Sequence, residues 1–518
     1  MTVPRFESPL PVLKSTASTL ATDKLGVVAI VIFVWCAATP LTVVAGIVTT
    51  GFAVTGMVGM PLAFPVVGAV LMLFAVGFVA MARQIGTVGG LYAFLAKGLG
   101  RAAGVGGAWM ALVAYNGLQV GLYGTVGAAV APLLNRALGV SVPWWVTALV
   151  CCGFVAWQGV MKVDQNRTVL AVLLLAEITA LIVFSIADLV RPADGHVSTY
   201  ALSLGNLVTA GIGASLALAF LGFVGFEAAV VFAAEAKDPA RTIPRAMRWS
   251  IVLIAALYAF SSWAMTVAVG AGSIVVQARE NSVDLIFILA GDRLGRTVAD
   301  VGQVLFFTSV VAALLAFHFT TARYGYALGL ERVLPAWLGR TSRRSSAPYR
   351  ASIAQSLFAV AVIITYAVFG WDPVVQLFYW GGAIGGVGVL LLLVLTSYAV
   401  FGYFFQHPEQ SREAGRWRAQ IAPVISSALL LMVAVLVLLN VPTLLGVAPD
   451  HPMVWIVRLG FPALLVLGTG YGWYLKTHHW DVYSKIGLAA KAATTPPLPA
   501  PRTAAHSTSS ARQEAGRS

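Results

Sequence analysis

Apolar residues fill this 518-residue chain in long runs that short polar segments separate. Twelve runs approach about 20 residues, the length that an α-helix needs to cross the hydrocarbon core of a bilayer. We therefore predict an all-α polytopic membrane protein with 12 transmembrane helices. The predicted helices 1 to 12 cover residues 25–50, 59–82, 104–134, 143–161, 168–190, 207–235, 249–271, 298–326, 351–369, 374–402, 420–442 and 453–475.

Composition agrees with this pattern. Hydrophobic residues make up 59% of the chain and charged residues only 10%, whereas an ordinary soluble domain carries about 25% charged residues. The net charge of +13 is spread over short loops, so we expect no nucleic acid binding. No phosphate-binding loop, hydrolase motif or cysteine and histidine cluster is present. We therefore predict neither an enzyme nor a bound cofactor or metal.

Lysine and arginine predict the orientation. With 12 spans, both termini lie on one side of the membrane, and that side carries 27 of the 33 Lys and Arg residues. Cytoplasmic loops are enriched in these two residues. We therefore predict a multi-pass protein of the plasma membrane with both termini in the cytoplasm.

The apolar pattern also predicts a domain organisation. Residues 1–24 form a cytoplasmic N-terminal segment, 25–190 a first five-helix repeat and 191–402 a second one. Residues 403–475 supply helices 11 and 12. Residues 476–518 are rich in Ala, Pro, Thr and Ser, a composition that cannot bury a core, and are predicted to be a disordered cytoplasmic tail.

Two predicted helices are interrupted at matching positions. Helix 1 contains Pro40, which has no N–H to donate and pushes Thr39 away from helical geometry. Helix 6 is interrupted between Gly222 and Gly225. Because these helices begin two halves of opposite topology, the breaks predict a 5+5 inverted repeat with a binding site at the bilayer midplane. Taken singly, each break is equally consistent with a simple kink or with tight packing.

A broken helix frees backbone groups that bind charged ligands. The freed N–H groups, at the positive end of a half-helix, bind a carboxylate, and the freed carbonyls bind an ammonium group. Such a site suits a zwitterion such as an amino acid. The predicted substrate-binding residues are Thr39, Pro40, Leu41, Thr42, Gly222, Phe223, Gly225, Phe226 and Glu227.

Three of these residues have specific predicted roles. Glu227, just past the second break, either pairs with a substrate amine or acts as a protonatable gate, or it caps the second half of helix 6 through the helix dipole. These roles are compatible. Phe223 and Phe226 flank the break and are candidates for an aromatic side chain that occludes the site.

Two buried titratable residues are candidates for ion coupling. Glu177 lies in the middle of predicted helix 5, where a carboxylate is costly unless it is paired or hydrated. A carboxyl group that gains and loses a proton there suits proton coupling, while Na⁺ binding or a hydrogen bond to a neighbouring helix are alternatives. His318 in helix 8 is either a proton relay or a packing residue.

The loop after predicted helix 6 carries charges of both signs. We predict that they form salt bridges that close the cytoplasmic side, and the alternative is a solvated loop that sets orientation. The charged residues of this loop are Glu235, Lys237, Asp238, Arg241 and Arg245.

Several short motifs at fixed spacing resemble one family. They are Gly225-Phe226-Glu227, Glu235-Ala236-Lys237-Asp238-Pro239, Thr242-Ile243-Pro244-Arg245-Ala246, Ala322-Arg323-Tyr324 and Val333-Leu334-Pro335. Together with the span pattern, they make residues from about 25 to 475 similar to the amino acid–polyamine–organocation permease superfamily. The resemblance implies a secondary transporter whose site is formed by the two breaks.

The chain departs from the family pattern in two places. Thr39-Pro40-Leu41-Thr42 stands where members often have a glycine-rich break, and Gly329-Leu330-Glu331-Arg332 stands where they often have Gly-Arg-Asp/Glu-Gly. The first departure leaves the identity of the substrate open, because that backbone is implied to hold the substrate carboxylate.

The predicted function is therefore secondary active transport of amino acids or related amines across the cytoplasmic membrane by alternating access. Proton coupling is favoured, and the coupling ion is H⁺ or Na⁺. Exchange of amino acids or polyamines and Na⁺ symport are alternatives. A non-transporting membrane sensor or partner subunit on the same fold is an alternative of a different class.

Overall fold

A computed structural model of the chain describes residues 24–85, 90–139, 141–161, 163–209, 211–342, 345–489 and 492. Within these residues, all regular secondary structure is helical, and an isolated backbone bridge joins Leu25 to Ala236. The predicted all-α class is confirmed. Residues 1–23 of the predicted N-terminal segment and residues 493–518 of the predicted tail lie outside the described part of the chain.

The first half of the chain begins with a helix that is broken near its middle. Its helices are α1 Val27–Ala38, α2 Pro40–Thr42, α3 Thr49–Thr55, α4 Met60–Ile85, α5 Leu91–Gly98, α6 Arg101–Leu138, α7 Trp144–Gly159 and α8 Val163–Val190. A π-helical segment, Val43–Val48, joins α2 to α3.

The second half again begins with a broken helix. Its helices are α9 Leu204–Leu207, α10 Ile212–Phe223, α11 Pro239–Val269, α12 Ile274–Asn281, α13 Leu285–Leu294, α14 Arg296–Leu330, α15 Tyr349–Phe369, α16 Trp380–Gln406, α17 Pro408–Ala414, α18 Ala422–Leu439, α19 Val441–Leu445, α20 Pro452–His478 and α21 Trp480–Tyr483. A 3₁₀-helix, Phe226–Glu235, follows α10, and π-helical turns precede α16 and α18.

Ten helical stretches of the described residues are long and apolar enough to cross a membrane. They coincide with predicted helices 1, 2 and 5 to 12, so the chain is a multi-pass membrane protein. The 38-residue α6 and the shorter apolar α7 occupy the positions predicted for helices 3 and 4. The short α5 lies where the sequence has an apolar segment too short to span.

The first break lies at Thr39. Helix α1 ends at Ala38, and Thr39 adopts a left-handed conformation with φ 44° and ψ 68°. Pro40 then occupies the first position of α2. The proline accounts for the end of α1, because it has no N–H for the helical ladder and disfavours right-handed helical geometry in the residue before it. The positive φ of Thr39 is rare for a β-branched residue.

The second break lies at Val224 and Gly225. Helix α10 ends at Phe223, so Gly222 remains inside the helix. Val224 is extended, with ψ 128°, and Gly225 has φ 116°, a region that glycine enters without steric cost. The following ten-residue 3₁₀-helix is unusually long, and such segments often mark functional hinges.

The two breaks contact each other directly. A Cβ atom added to Gly225 would lie 2.7 Å from the Cβ of Ala37, a distance that real structures do not show. The missing side chain therefore allows the second break to rest on the end of α1. From α11, Tyr258 donates its hydroxyl to the carbonyl of Ala38 at 2.8 Å, which satisfies one acceptor at the first break.

The chain before α1 also pairs with the chain after the 3₁₀-helix. The backbone N–H groups of Lys24 and Leu25 both donate to the carbonyl of Glu235 at 3.0 Å, and Lys237 N–H donates to the carbonyl of Leu25 at 2.8 Å. We call the end of the helix bundle that holds Leu25 and Glu235 the closed end.

Part of the predicted tail is folded onto the closed end. Helix α20 continues to His478, α21 follows, and the N–H groups of Gly487 and Ala489 donate to Glu331 Oε1 at 3.0 and 2.6 Å. Tyr92 of α5 donates to the same oxygen at 2.9 Å. Residues 476–489 are therefore ordered, in contrast to the prediction that this part of the tail is disordered. Apolar side chains such as Tyr483 and Ile486 pack on the core there.

Glu331 makes the stability of this contact dependent on pH. Burial raises the pKa of Glu331 from 4.5 to about 8, although hydrogen bonds from Ala489, Tyr92 and Gly487 act in the opposite direction. Since the folded protein then holds a proton that the unfolded chain releases, the free energy of unfolding falls as pH rises between these two values.

We expect Glu331→Gln to reduce this fall in the free energy of unfolding, as measured by thermal melting across that pH range. The exposed Glu409→Gln serves as the control, and an unchanged slope in Glu331→Gln would contradict the role of Glu331.

Candidate functional site at two helix breaks

A cavity of about 560 Å³ lies against both breaks. Thr39 and Thr42 line it from the first break and Val224 from the second. The cavity reaches the surface at Val54 and Val283, whose side chains are 47% and 36% exposed. Leu25 precedes α1 and Val54 lies near the end of α3, so this mouth is at the opposite end of the bundle from the closed end.

The wall of the cavity is largely apolar, and α6, α10, α14 and the chain leading into α16 contribute to it. Apolar lining residues include Leu118, Leu122, Leu218, Leu221, Val224, Phe306, Phe317 and Phe378, and hydroxyl-bearing ones are Thr39, Thr42, Thr50, Thr125, Thr443 and Tyr379. None of the described lining residues is charged. Over the described residues, no group of three or more His, Cys, Asp or Glu side chains is placed to hold a metal ion.

Most of the predicted site residues lie behind this wall. Of the nine predicted substrate-binding residues, only Thr39 and Thr42 line the cavity. The ring of Phe223 lies 6.4 Å from that of Tyr258, and the ring of Phe226 lies 6.3 Å from that of Phe74. Both phenylalanines are fully buried in the packing that supports the break.

The aromatic residues among the described lining residues are Phe306, Phe317, Phe378 and Tyr379, and sequence reasoning missed all four. They occur in apolar helical runs, and the sequence contains no signal for the face of the helix on which each one lies. Val224 was missed for a related reason, since only the extended conformation at the break turns its side chain to the cavity.

Glu177 of α8 caps the first break. Its Oε1 accepts the N–H of Leu41 at 2.5 Å and the hydroxyl of Ser309 at 2.7 Å, and its side chain is 2% exposed. The Leu41 N–H is one of the donors that the break leaves without a helical partner. Thr42 in turn donates to Ser309 at 3.2 Å. Because Thr42 lines the cavity, two hydroxyl groups connect the cavity to a buried carboxylate.

Glu227 caps the second break. Its Oε2 accepts the N–H of Gly225 at 3.0 Å, and its Oε1 accepts the hydroxyl of Tyr115 at 2.9 Å. Glu227 is fully buried at the start of the 3₁₀-helix. The hydrogen bond from the Gly225 N–H is the contact that a cap at this break requires. The bond from the Tyr115 hydroxyl also links the second break to α6. Each break thus has a freed N–H bound to a carboxylate of the protein.

His318 lies in a separate polar network between α6, α14 and α15. Gln355 donates to Gln119 Oε1 at 2.7 Å, so the Gln119 amide nitrogen is free to donate to His318 Nδ1 at 3.1 Å. His318 Nε2 then donates to Ser352 at 2.8 Å, an assignment of the tautomer that follows from the network. The structure does not bring His318 into contact with Glu177 or Glu227.

The closed end contains a buried ion pair. Arg323 of α14 binds Glu235 through two hydrogen bonds of 2.5 and 3.0 Å, and their side chains are 6% and 2% exposed. The guanidinium also lies 4.5 Å from the ring centre of Phe232. Within the loop after predicted helix 6, the structure contains one described salt bridge, an exposed contact of 3.4 Å between Arg241 and Asp238. The buried carboxylate instead has its partner on another helix.

We expect Arg323→Gln to destabilise the folded protein strongly, because it leaves Glu235 buried without its charge partner. Removing one member of a buried pair costs about 3–5 kcal/mol, whereas an exposed pair contributes about 0–1 kcal/mol. The matched control is Arg241→Gln, which removes the exposed pair. Chemical unfolding of both purified variants measures the difference, and equal losses of stability would contradict the importance of the buried pair.

Comparison with known proteins finds similarity to membrane transporters. A family profile described as amino acid permease matches residues 25–462. An uncharacterized transporter of Mycobacterium tuberculosis is 26% identical over 314 residues, which cover 60% of this chain and 67% of that protein.

Two relatives with substrates in their names are also similar. The branched-chain amino acid permease BcaP of Lactococcus lactis is 26% identical over 343 residues, or 61% of this chain and 71% of that one. The cationic amino acid transporter 7 of Arabidopsis thaliana is 23% identical over 227 residues, which cover 43% and 38% of the two chains.

Proposed function

Because this chain belongs to the amino acid permease family, within the amino acid–polyamine–organocation superfamily, we propose that it is a secondary active transporter that carries amino acids by alternating access. Permeases move their solutes without converting them, so the chain is not an enzyme. The observation that carries the proposal is the position of the cavity, which ends against two helix breaks that touch each other.

The finer architecture is part of the same proposal. Twelve spans form two inverted five-helix repeats, followed by two further helices, and each repeat begins with a broken helix. The paired breaks at Thr39 and Gly225 support this arrangement. With both termini in the cytoplasm, as the Lys and Arg distribution predicts, the closed end faces the cytoplasm and the cavity opens outward.

Substrate binds at the inner end of the cavity, where Thr39 and Val224 bring the two breaks to the wall. Backbone groups at the breaks bind the α-carboxylate and the α-ammonium group, as helix ends are suited to do. Glu177 and Glu227 hold the breaks in the shape that this requires. In the inward-facing state, the Glu235–Arg323 pair and the Leu25 backbone contacts separate.

Proton coupling through Glu177 is the form of energy coupling that the contacts favour. The Thr42–Ser309–Glu177 hydrogen bonds give protons a route from the cavity to a buried carboxylate. When Glu177 gains a proton, its hold on the Leu41 N–H weakens, which links protonation to the shape of the first break. The same oxygen atoms suit Na⁺, so Na⁺ symport is the second candidate, and exchange without a driving ion is the third.

We expect Glu227→Gln to lower amino acid uptake about tenfold or more while the protein still folds and inserts. The amide would place a donor against the hydroxyl of Tyr115 or the N–H of Gly225, and a hydrogen bond to a charged group contributes about 1.5–3 kcal/mol. Uptake into proteoliposomes measures the loss, and the exposed Glu280→Gln serves as the control. Uptake at the wild-type rate would remove the role of Glu227.

We expect Glu177→Gln and Ser309→Ala to abolish the stimulation of uptake by an inward proton gradient while exchange of labelled for unlabelled substrate continues. Proton and Na⁺ gradients are imposed separately in proteoliposomes. Thr308→Ala is the matched control, because this neighbouring hydroxyl bonds to Leu305 of its own helix. Stimulation of the wild type by Na⁺ alone would favour the Na⁺ alternative, and stimulation by neither gradient would exclude a coupling role for Glu177.

A further inference from the structure

We propose that the cavity selects neutral amino acids with bulky apolar side chains, and that Val224 sets the size of side chain that it accepts. The inference rests on the proposed transport function and concerns the substrate class of the same site. It is drawn from the wall of the cavity and from the contacts of the buried charges behind it.

The first step concerns the charge of the substrate side chain. Among the described residues that line the cavity, polar side chains are limited to threonines and Tyr379. A charged side chain would lose water on entering the cavity and would find no counter-ion on this wall, which is unfavourable. Acidic, basic and polyamine substrates are therefore disfavoured.

The second step concerns the two buried carboxylates nearest the breaks. Glu177 is bound to Leu41 and Ser309, and Glu227 is bound to Gly225 and Tyr115. Neither carboxylate lines the cavity, so neither is available to pair with a basic group at the end of a substrate side chain. The two carboxylates therefore bind backbone N–H groups of the protein and do not select the side chain of the substrate.

The third step concerns the shape of the wall beside the breaks. Leu118, Leu221 and Phe317 provide apolar surface there, together with Val224. An apolar substrate side chain that contacts these residues leaves water, which favours binding in proportion to the area buried. The volume of about 560 Å³ lies within the range of roughly 300–1,000 Å³ that is typical of ligand sites.

The fourth step identifies Val224 as the residue that determines size. From Gly222 to Phe226, it is the residue whose side chain faces the cavity. Gly222 is packed near Val43, and Phe223 lies beside Tyr258. A larger side chain at position 224 would extend into the cavity next to the backbone that binds the substrate, and a smaller one would enlarge the space there.

The experiment measures uptake of labelled leucine and labelled lysine by proteoliposomes, with unlabelled amino acids as competitors. We expect leucine to be carried, and isoleucine, valine and phenylalanine to compete with it about tenfold more strongly than lysine, arginine or glutamate, because a charged side chain would be buried on this wall without a counter-ion. Uptake of lysine at a rate comparable to that of leucine, or equal competition by charged amino acids, would overturn the inference. Uptake of none of the panel would contradict the proposed transport function itself.

Two substitutions test Val224. We expect Val224→Phe to weaken competition by phenylalanine and leucine, relative to competition by alanine, by about tenfold. Val224→Ala is expected to strengthen competition by these large amino acids relative to alanine. The control is Val304→Phe, a change on an exposed face of α14. Because the variants can lose activity through misfolding, the thermal stabilisation of each purified protein by leucine and by phenylalanine is measured as well. The same preference in both variants and the control would overturn the role of Val224.

Discussion

A backbone N–H group that has lost its helical partner within a membrane must find another acceptor, since no bulk water is present to supply one. The site depends on how this requirement is met at its two breaks. Glu177 binds the N–H of Leu41, and Glu227 binds the N–H of Gly225. With these donors satisfied, the interrupted helices can remain side by side and expose their ends to a cavity.

The two capping carboxylates differ in origin, and the difference affects what each can control. Glu227 lies two residues from the N–H that it accepts, so this cap belongs to the break itself. Glu177 comes from α8, 136 residues from Leu41 along the chain. The shape of the first break therefore depends on how α8 and α14 sit beside it. The second break carries its own cap, and Tyr115 of α6 donates a hydrogen bond to that cap.

Local chemistry made much of this predictable from the sequence. Pro40 and the glycines of helix 6 mark the breaks because their backbone preferences act within a few residues, and Glu227 follows directly in the chain. The partners were not predictable in the same way. The bonds from Leu41 to Glu177 and from Glu235 to Arg323 join distant helices, and apolar runs do not reveal that Phe317 faces the cavity while Phe223 is packed away from it. The family resemblance predicted the amino acid permease family, which the comparison with known proteins supports, but the side chains of the wall required the structure.

The contact at Glu331 has a consequence for biosynthesis. Its carboxyl group is fully buried and accepts hydrogen bonds from the N–H groups of residues 156 and 158 positions later in the chain. At about 5–20 residues per second, a ribosome needs on the order of 10 s to supply these partners after Glu331 has been made. During that interval, the end of α14 and the adjoining α5 lack their final cover. The packing of this region is therefore completed only after α21 and the residues up to Ala489 have been synthesised, and a truncation before Gly487 would remove both N–H donors to Glu331.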